Sequence, residues 1–170
     1  DTTGRQLARR AKKHANFAAD YVMGQLKSGA ELTVSGDRFD DAAKAGFTAV
    51  EVLFPYDNPA EAVGERLKKN GLTQALFNLP PGNWDAGEKG FAALPERFDD
   101  LKRSLETALP YAKATGVKRL HLMAGIANRS EAKAVEQFYK SVAWAAEFYA
   151  PHGLDVVIEP INARNVPGYF

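Results

Sequence analysis

The sequence has 170 residues, of which 45% are hydrophobic and 25% are charged. This mixture is typical of a globular protein with a substantial core, and it predicts a soluble chain. Cysteine is absent, which excludes disulfides and thiolate chemistry. Any metal would be held by carboxylates, His, amide oxygens or water, so a hard divalent cation is favoured over a structural zinc.

Charge and hydropathy restrict the partners and the location. The net charge of +1 gives no overall attraction to nucleic acid. No apolar stretch approaches the roughly 20 residues of a membrane span, and no signal-peptide pattern opens the chain. We therefore expect a cytoplasmic protein with neither a membrane nor a nucleic acid as its partner. Because the chain starts at Asp1, we expect it to be processed or trimmed.

The amino-terminal segment differs in character from the rest. Apolar residues recur at spacings of three and four over residues 5–28, which predicts a helix that Gly29 ends. Basic residues crowd its beginning, where the helix dipole disfavours them: Arg5, Arg9, Arg10, Lys12 and Lys13. A solvated face, a surface for nucleic acid or acidic membrane, and a targeting remnant all remain open.

From Ser35 onward, predicted helices and strands alternate. The helices run from Ser35 or Asp37 to Gly46, from Pro59 to Gly71, from about Pro95 to Gly116, and from Ser130; the strands cover 48–54, 72–79, 118–125 and 156–158. Such alternation predicts βαβ units in a parallel sheet with right-handed crossovers. Pro110 lies inside the third helix and is expected to kink it or to cost about 3 kcal/mol.

In a parallel α/β sheet, function is expected at the carboxyl ends of the strands. Five polar residues occupy these positions or follow them closely: Glu51, Asn78, His121, Glu159 and Asn162. Glu159 directly follows the apolar run 156–158, as expected where a buried strand emerges into a loop. His121 is interpreted either as a hydrogen-bonded core residue or as a pocket residue. Trp84 lies in a Gly- and Pro-rich loop and is interpreted as a lid over a pocket or as a plug.

Four segments together resemble a known family: AAKAGFTAVEVLFPY, GLTQALFNLPPGNWDAGEKG, YAKATGVKRLHLMAG and IEPINARNVPGYF. In order and approximate spacing they resemble the hydroxypyruvate isomerase family of the xylose isomerase-like sugar isomerases and epimerases, over about residues 36–170. The resemblance implies an α/β fold, namely a partial (β/α)8 TIM barrel of about four to five βα units. Residues 1–35 do not match, and we expect them to form a separate basic helical extension before the barrel domain of residues 36–170.

The resemblance also implies a chemistry. The family interconverts hydroxypyruvate and tartronate semialdehyde through an enediol-type intermediate, as an intramolecular oxidoreductase of the aldose–ketose type. It uses a divalent metal such as Mg²⁺ or Mn²⁺ and no nucleotide cofactor. Glu159 matches a glutamate that serves as metal ligand and acid-base group. His121, Asn78, Trp84 and Asn162 match segments that line the pocket, which implies contact with a small hydroxy-keto acid or sugar-like substrate.

The departures from the family support a second interpretation. The family uses two acid-base glutamates, and the resemblance ends just after the position of the family's fifth strand, so the remaining metal ligands and the second glutamate are not matched. Lys89 and Asn165 stand where the family has Arg and Asp. A non-enzymatic fragment, chimera or engineered half-barrel is the alternative. Its open sheet edges would favour a homo-oligomer or a strand-exchanged assembly, with the basic helix as an interaction element. No phosphate-binding loop, dinucleotide fingerprint or nucleophile elbow appears in the sequence, which argues against nucleotide-dependent and hydrolase chemistry.

Overall fold

A computed structural model describes residues 36–170 of the chain. The predicted helix over residues 5–28 and the proposed domain of residues 1–35 lie outside the described residues. The elements are α1 (Gly36–Lys44), β1 (Ala49–Val52), α2 (Ala60–Lys69), β2 (Thr73–Asn78), α3 (Phe98–Thr115), β3 (Arg119–His121), α4 (Ala132–Tyr149) and β4 (Asp155–Val157). Short 3₁₀ helices at Pro95–Arg97 and Ala150–His152 precede α3 and follow α4.

The predicted order of helices and strands is confirmed, and the fold is α/β with parallel strand pairs. Gly46, Gly71 and Gly116 have positive φ angles at the ends of the helices that they were predicted to close. α3 is one continuous helix that contains Pro110, and this proline is exposed, so water can reach the carbonyl that its missing N–H leaves unpaired. Across residues 36–170, every helix is too short or too polar to cross a membrane.

The described residues form two compact units, the first comprising residues 36–77 and 111–117. Here β1 pairs with β2 in parallel, and the register slips between Val50 and Glu51, so that Glu51 lies opposite Leu76. On α2, Val63 and Leu67 are buried. Gly64 allows a close approach in this unit, because a Cβ atom at its position would lie 2.3 Å from the carbonyl oxygen of Ala114.

The second unit comprises residues 78–110 and 118–170. Its strands β3 and β4 are parallel, with His121 opposite Val157. The buried face of α4 consists of Ala134, Gln137, Ser141, Ala145 and Tyr149. Two of these residues are polar and bond to each other, Gln137 Nε2 donating to Ser141 Oγ at 3.0 Å. Ala146, next to the buried Ala145, is exposed.

The third strand is shorter than the predicted 118–125. Ladder pairing with the neighbouring segment continues as far as Leu122, whose N–H donates to the carbonyl of Val157 at 2.9 Å. The carbonyls of Met123 and Ala124 instead accept from the N–H groups of Ala92 and Ala93, at 3.3 and 2.8 Å. The strand therefore ends because a loop takes over its hydrogen bonds, and the prediction of a strand to residue 125 was wrong.

The last strand is less buried than its apolar sequence predicted. Val156 and Val157 are half-buried, and Ile158 is 54% exposed. Among the strands of residues 36–170, β4 pairs only with β3. One flank of an apolar strand is thus open to solvent in the described part of the chain.

Candidate functional site

Two residues predicted from the sequence meet in the second unit. His121 ends β3 and is 2% exposed, and Asn78 ends β2 and is 8% exposed. The ring nitrogen Nδ1 of His121 lies 2.9 Å from Oδ1 of Asn78. The backbone supports this contact, since the N–H of Leu79 donates to the carbonyl of His121 at 3.0 Å. The two side chains are therefore held by a hydrogen-bonded backbone as well as by each other.

The other ring nitrogen of His121, Nε2, has a different environment. Nε2 is buried and has no hydrogen-bond partner among residues 36–170. Burial lowers the pKa of His121, because desolvation penalises the imidazolium, and the charge of Glu159 opposes that shift. The imidazole is therefore neutral at neutral pH. A buried nitrogen without a partner is costly, and in a native protein such a group calls for an explanation, such as a catalytic role, an ordered water or a bound ion.

Glu159 lies two residues beyond β4 and is exposed. Its negative charge raises the pKa of His121 and also the pKa of Tyr169, so its carboxylate lies within electrostatic range of both. Tyr169 is 6% exposed, and its hydroxyl accepts from the N–H of Ala124 at 2.8 Å. Burial is the main cause of its raised pKa, which keeps the phenol protonated. The arrangement thus combines a solvent-accessible carboxylate with a buried neutral imidazole and a buried phenol.

Tyr169 was not among the predicted site residues. It lies in the irregular segment after β4, where neither helical nor strand periodicity applies. Its position is fixed because residues 168–170 return to residues 125–127: the N–H of Phe170 donates to Gly125 at 3.0 Å, and Ala127 donates to Gly168 at 3.1 Å. The motif NVPGYF, which was part of the family resemblance, was the one sequence signal that could have drawn attention to it.

Asn162 has a local role in the same segment. Its Oδ1 accepts from the backbone N–H groups of Arg164 and Asn165, at 3.1 and 2.9 Å. The side chain therefore stabilises the turn that follows Glu159. Contact between Asn162 and a substrate stays a prediction.

The loop that contains Trp84 is closed by its own hydrogen bonds. Lys89 Nζ lies 3.3 Å from the centroid of the Trp84 ring and donates to the Trp84 carbonyl at 3.3 Å. Burial lowers the pKa of Lys89. Glu88 pairs with Arg97, and Gly90 N–H donates to the Pro81 carbonyl at 2.9 Å. Trp84 is half-buried in this loop, and its role as a lid stays a prediction.

The described residues alone do not provide a metal site. No group of three or more His, Asp or Glu side chains in residues 36–170 is arranged to hold an ion. Glu159 offers a single exposed carboxylate at the candidate site. Mg²⁺ and Mn²⁺ require several oxygen ligands in near-octahedral geometry, which one carboxylate cannot supply. A metal-ligand role of Glu159 therefore stays a prediction.

Comparison with known proteins identifies relatives over this same part of the chain. Residues 39–170 match the family described as "Xylose isomerase-like TIM barrel". The chain is 49% identical over 136 residues to the 2-oxo-tetronate isomerase of Cupriavidus necator and 44% identical over 136 residues to that of Pectobacterium atrosepticum. It is 35% identical over 134 residues to the hydroxypyruvate isomerase of Escherichia coli. These alignments cover 79%, 79% and 78% of this chain, and 52% of each relative.

Solved structures agree on the fold. A crystal structure from Brucella melitensis, titled as an AP endonuclease of family 2, superposes with a TM-score of 0.76 at 47% identity over 79% of this chain and 53% of that chain. A D-psicose 3-epimerase crystallised in the presence of D-fructose has a TM-score of 0.54 at 15% identity, over 79% of this chain and 48% of that one, and supports the fold alone. The chain thus spans about half the length of the curated relatives that it matches.

Proposed function

The chain belongs to the xylose isomerase-like TIM barrel family. We therefore propose that it functions as an isomerase acting on a small 2-oxo acid with a hydroxyl on the next carbon. Hydroxypyruvate and 2-oxo-tetronate share this unit, and relatives carry the names of isomerases of both. The reaction moves a proton between adjacent carbons while the carbonyl and the hydroxyl exchange places. A cytoplasmic location belongs to the same proposal.

The proposed proton transfers use two side chains. The carboxylate of Glu159 removes the proton from C3 of the 2-oxo acid, which leaves an enediolate, and the resulting carboxylic acid returns a proton to C2. The hydroxyl proton must also pass from the oxygen on C3 to the oxygen on C2. Neutral His121 is suited to contact these oxygens, because an uncharged imidazole can accept the proton from one oxygen and return it to the other.

One observation carries the proposal: a buried imidazole nitrogen without a partner in the described residues lies within electrostatic range of an exposed carboxylate. A purely structural core histidine normally has both ring nitrogens satisfied. The two groups also have opposite environments, since His121 is desolvated and Glu159 is open to solvent. These environments suit His121 to binding the substrate oxygens and Glu159 to exchanging protons.

The first experiment follows loss of the C3 proton in D₂O, because this partial reaction is visible even where net isomerisation is slow. The purified chain is incubated with hydroxypyruvate, with Mg²⁺, with Mn²⁺ and with chelator, and deuterium at C3 is measured by proton NMR. Glu159→Gln is expected to reduce exchange by about 100-fold or more, the usual contribution of a general base.

Glu136→Gln is the matched control, because Glu136 is also exposed but lies on α4. It is expected to exchange at the wild-type rate. Exchange at the wild-type rate in Glu159→Gln, or no exchange above buffer in any variant, would contradict the proposed proton transfer. Repeating the assay with 2-oxo-tetronate then compares the two substrates.

Self-association through β4 is a second candidate function. Its support is the open flank of β4, with two half-buried valines, and Ile158, which follows β4 directly and is 54% exposed. A strand edge of this kind can pair with a strand of another molecule. We propose a homo-oligomer as the form in which this flank is covered, and the solution mass tests it.

A further inference from the structure

His121 is held by one ring nitrogen and leaves the other without a partner in the described residues. From this geometry we infer that Asn78 is a positioning residue: its Oδ1 accepts the Nδ1–H of His121 and so leaves Nε2 as a bare lone pair that accepts a substrate hydroxyl. The hydroxyl part of the inference rests on the proposed function. The assignment of the ring proton does not.

The proton assignment follows from what each atom can do. A neutral imidazole has one N–H and one lone pair, and an amide oxygen can only accept. The 2.9 Å separation between Nδ1 and Oδ1 is a hydrogen bond, so the ring proton is on Nδ1. Nε2 then carries the lone pair, in a position with 2% exposure of the whole residue. In water the other tautomer is favoured, so Asn78 selects a form that the free side chain would not.

An amide is better suited to this role than a carboxylate. A carboxylate at position 78 would also accept the Nδ1 proton, but its charge would stabilise the imidazolium and place a second proton on Nε2. Asn78 fixes the ring without adding charge, and the lone pair on Nε2 is preserved. A ligand hydroxyl can then offset the cost of the buried nitrogen, and a ligand without the hydroxyl cannot.

This predicts discrimination between related acids. Hydroxypyruvate has a hydroxyl next to its carbonyl, whereas pyruvate is the same molecule without it. A site built to bond a hydroxyl rejects the analogue that lacks it, because a buried polar group is then left unpaired. Binding should therefore be at least tenfold weaker for pyruvate than for hydroxypyruvate.

The tautomer is read directly from long-range ¹H–¹⁵N correlation spectra of the labelled full chain. It has 3 histidines, and His121→Gln identifies the relevant ring. In the wild type, Nδ1 is expected in the protonated range of ¹⁵N shifts and Nε2 in the unprotonated range. Asn78→Leu is expected to reverse or average the two shifts, and Asn78→Asp to keep Nδ1 protonated while moving Nε2 towards the protonated range.

Gln137→Leu is the matched control, because it also removes a buried amide that is hydrogen-bonded to a buried side chain in the second unit. It should unfold more easily but leave the His121 shifts unchanged. A protonated Nε2 in the wild type, or unaltered shifts in folded Asn78→Leu, would overturn the role of Asn78.

Titration with hydroxypyruvate and with pyruvate separates the two parts of the inference. Hydroxypyruvate is expected to move the Nε2 resonance towards the protonated range, as an accepted hydrogen bond does, and pyruvate is not. If Nδ1 is protonated as inferred but hydroxypyruvate causes no shift, the hydroxyl-acceptor role and the proposed substrate fail while the positioning of His121 stands.

Discussion

At the scale of single residues, the sequence singled out Asn78 and His121 as candidate site residues but gave no sign of the contact between them. Asn78 stood near the end of one predicted strand and His121 inside the next, and they are 43 residues apart in the chain. No local pattern specifies which ring nitrogen meets which oxygen, because that depends on how two strand ends are placed. Tyr169 escaped notice for the same reason, since its burial arises from backbone bonds between residues 168–170 and 125–127.

Buried neutral His121 should make stability depend on pH. Its pKa lies below the ordinary value of 6.5 in the folded chain because burial disfavours the charged ring, whereas the unfolded chain keeps that ordinary value. Above 6.5 both states are neutral and the full stability is present. As pH falls below 6.5 the unfolded state binds the proton first, so stability is lost down to the folded pKa.

We expect urea unfolding to show a larger loss of stability between pH 7.5 and pH 5 in the wild type than in His121→Gln. The difference should be about 1.4 kcal/mol for each unit by which the folded pKa is lowered. Gln137→Leu removes a buried side chain that does not titrate and should keep the wild-type pH dependence. Parallel curves for the wild type and His121→Gln would show that the ring titrates alike in both states.

At the scale of elements, periodicity and glycine positions were sufficient to place the helices. Predictions failed where long-range hydrogen bonds decide the structure. The carbonyls after β3 are taken by residues 92 and 93, and the face of α4 buries the hydrogen-bonded pair Gln137 and Ser141, whose polar side chains periodicity analysis treats as exposed. Burial of β4 was overestimated because an apolar β-branched run shows only that a strand is suited to burial. It does not show whether other parts of the protein cover the strand.

Gly90 shows how tightly the loop before α3 is packed against the segment after β3. Its φ is +105°, and a Cβ atom there would lie 2.3 Å from the Met123 carbonyl oxygen. Gly87 has a similar φ of +90° but nothing within 4 Å. Gly87→Ala should therefore cost about 1–2 kcal/mol for the left-handed backbone alone, and Gly90→Ala should cost about 1–3 kcal/mol more because of the collision. Equal losses in thermal unfolding would contradict this packing.

The charged contacts of Glu88 should order the loop that carries Trp84. Hydrogen bonding to Arg97 is the main cause of the lowered pKa of Glu88, and the same carboxylate accepts from the Asn83 N–H. A lowered carboxylate pKa stabilises the fold above the unfolded value of about 4.5, and this contribution is lost as pH falls through the folded pKa. Both partners are about 30% exposed, so we expect only about 1 kcal/mol in total.

Glu88→Gln should therefore speed amide hydrogen exchange at residues 83–90 with little change in the melting temperature. Glu96→Gln is the matched control, since Glu96 is exposed in the 3₁₀ helix next to Arg97. Exchange at residues 83–90 should be unchanged in this control. Unaltered exchange in Glu88→Gln would mean that the backbone bonds of the loop hold Trp84 without the charged pair.

At the scale of the whole molecule, the uncovered flank of the last strand bears on whether the chain associates with itself. The chain aligns with 52% of the length of its curated relatives, and within residues 36–170 one flank of β4 is uncovered. Apolar strand edges are natural templates for pairing, and a second copy of the chain provides an identical edge. In the proposed homo-oligomer, pairing between two copies of the chain covers this open flank.

Replacing Ile158 with Lys tests whether two copies pair through the flank of β4, because a charge beside an exposed strand edge opposes pairing. Light scattering coupled to size exclusion should give a mass above 18.5 kDa for the wild type that rises with concentration, and a mass near 18.5 kDa for Ile158→Lys. Tyr139→Lys is the control, because Tyr139 is 69% exposed but lies on α4, and it should associate like the wild type. A wild-type mass of 18.5 kDa at every concentration would exclude the homo-oligomer, and β4 would then be a solvent-exposed edge in the isolated chain.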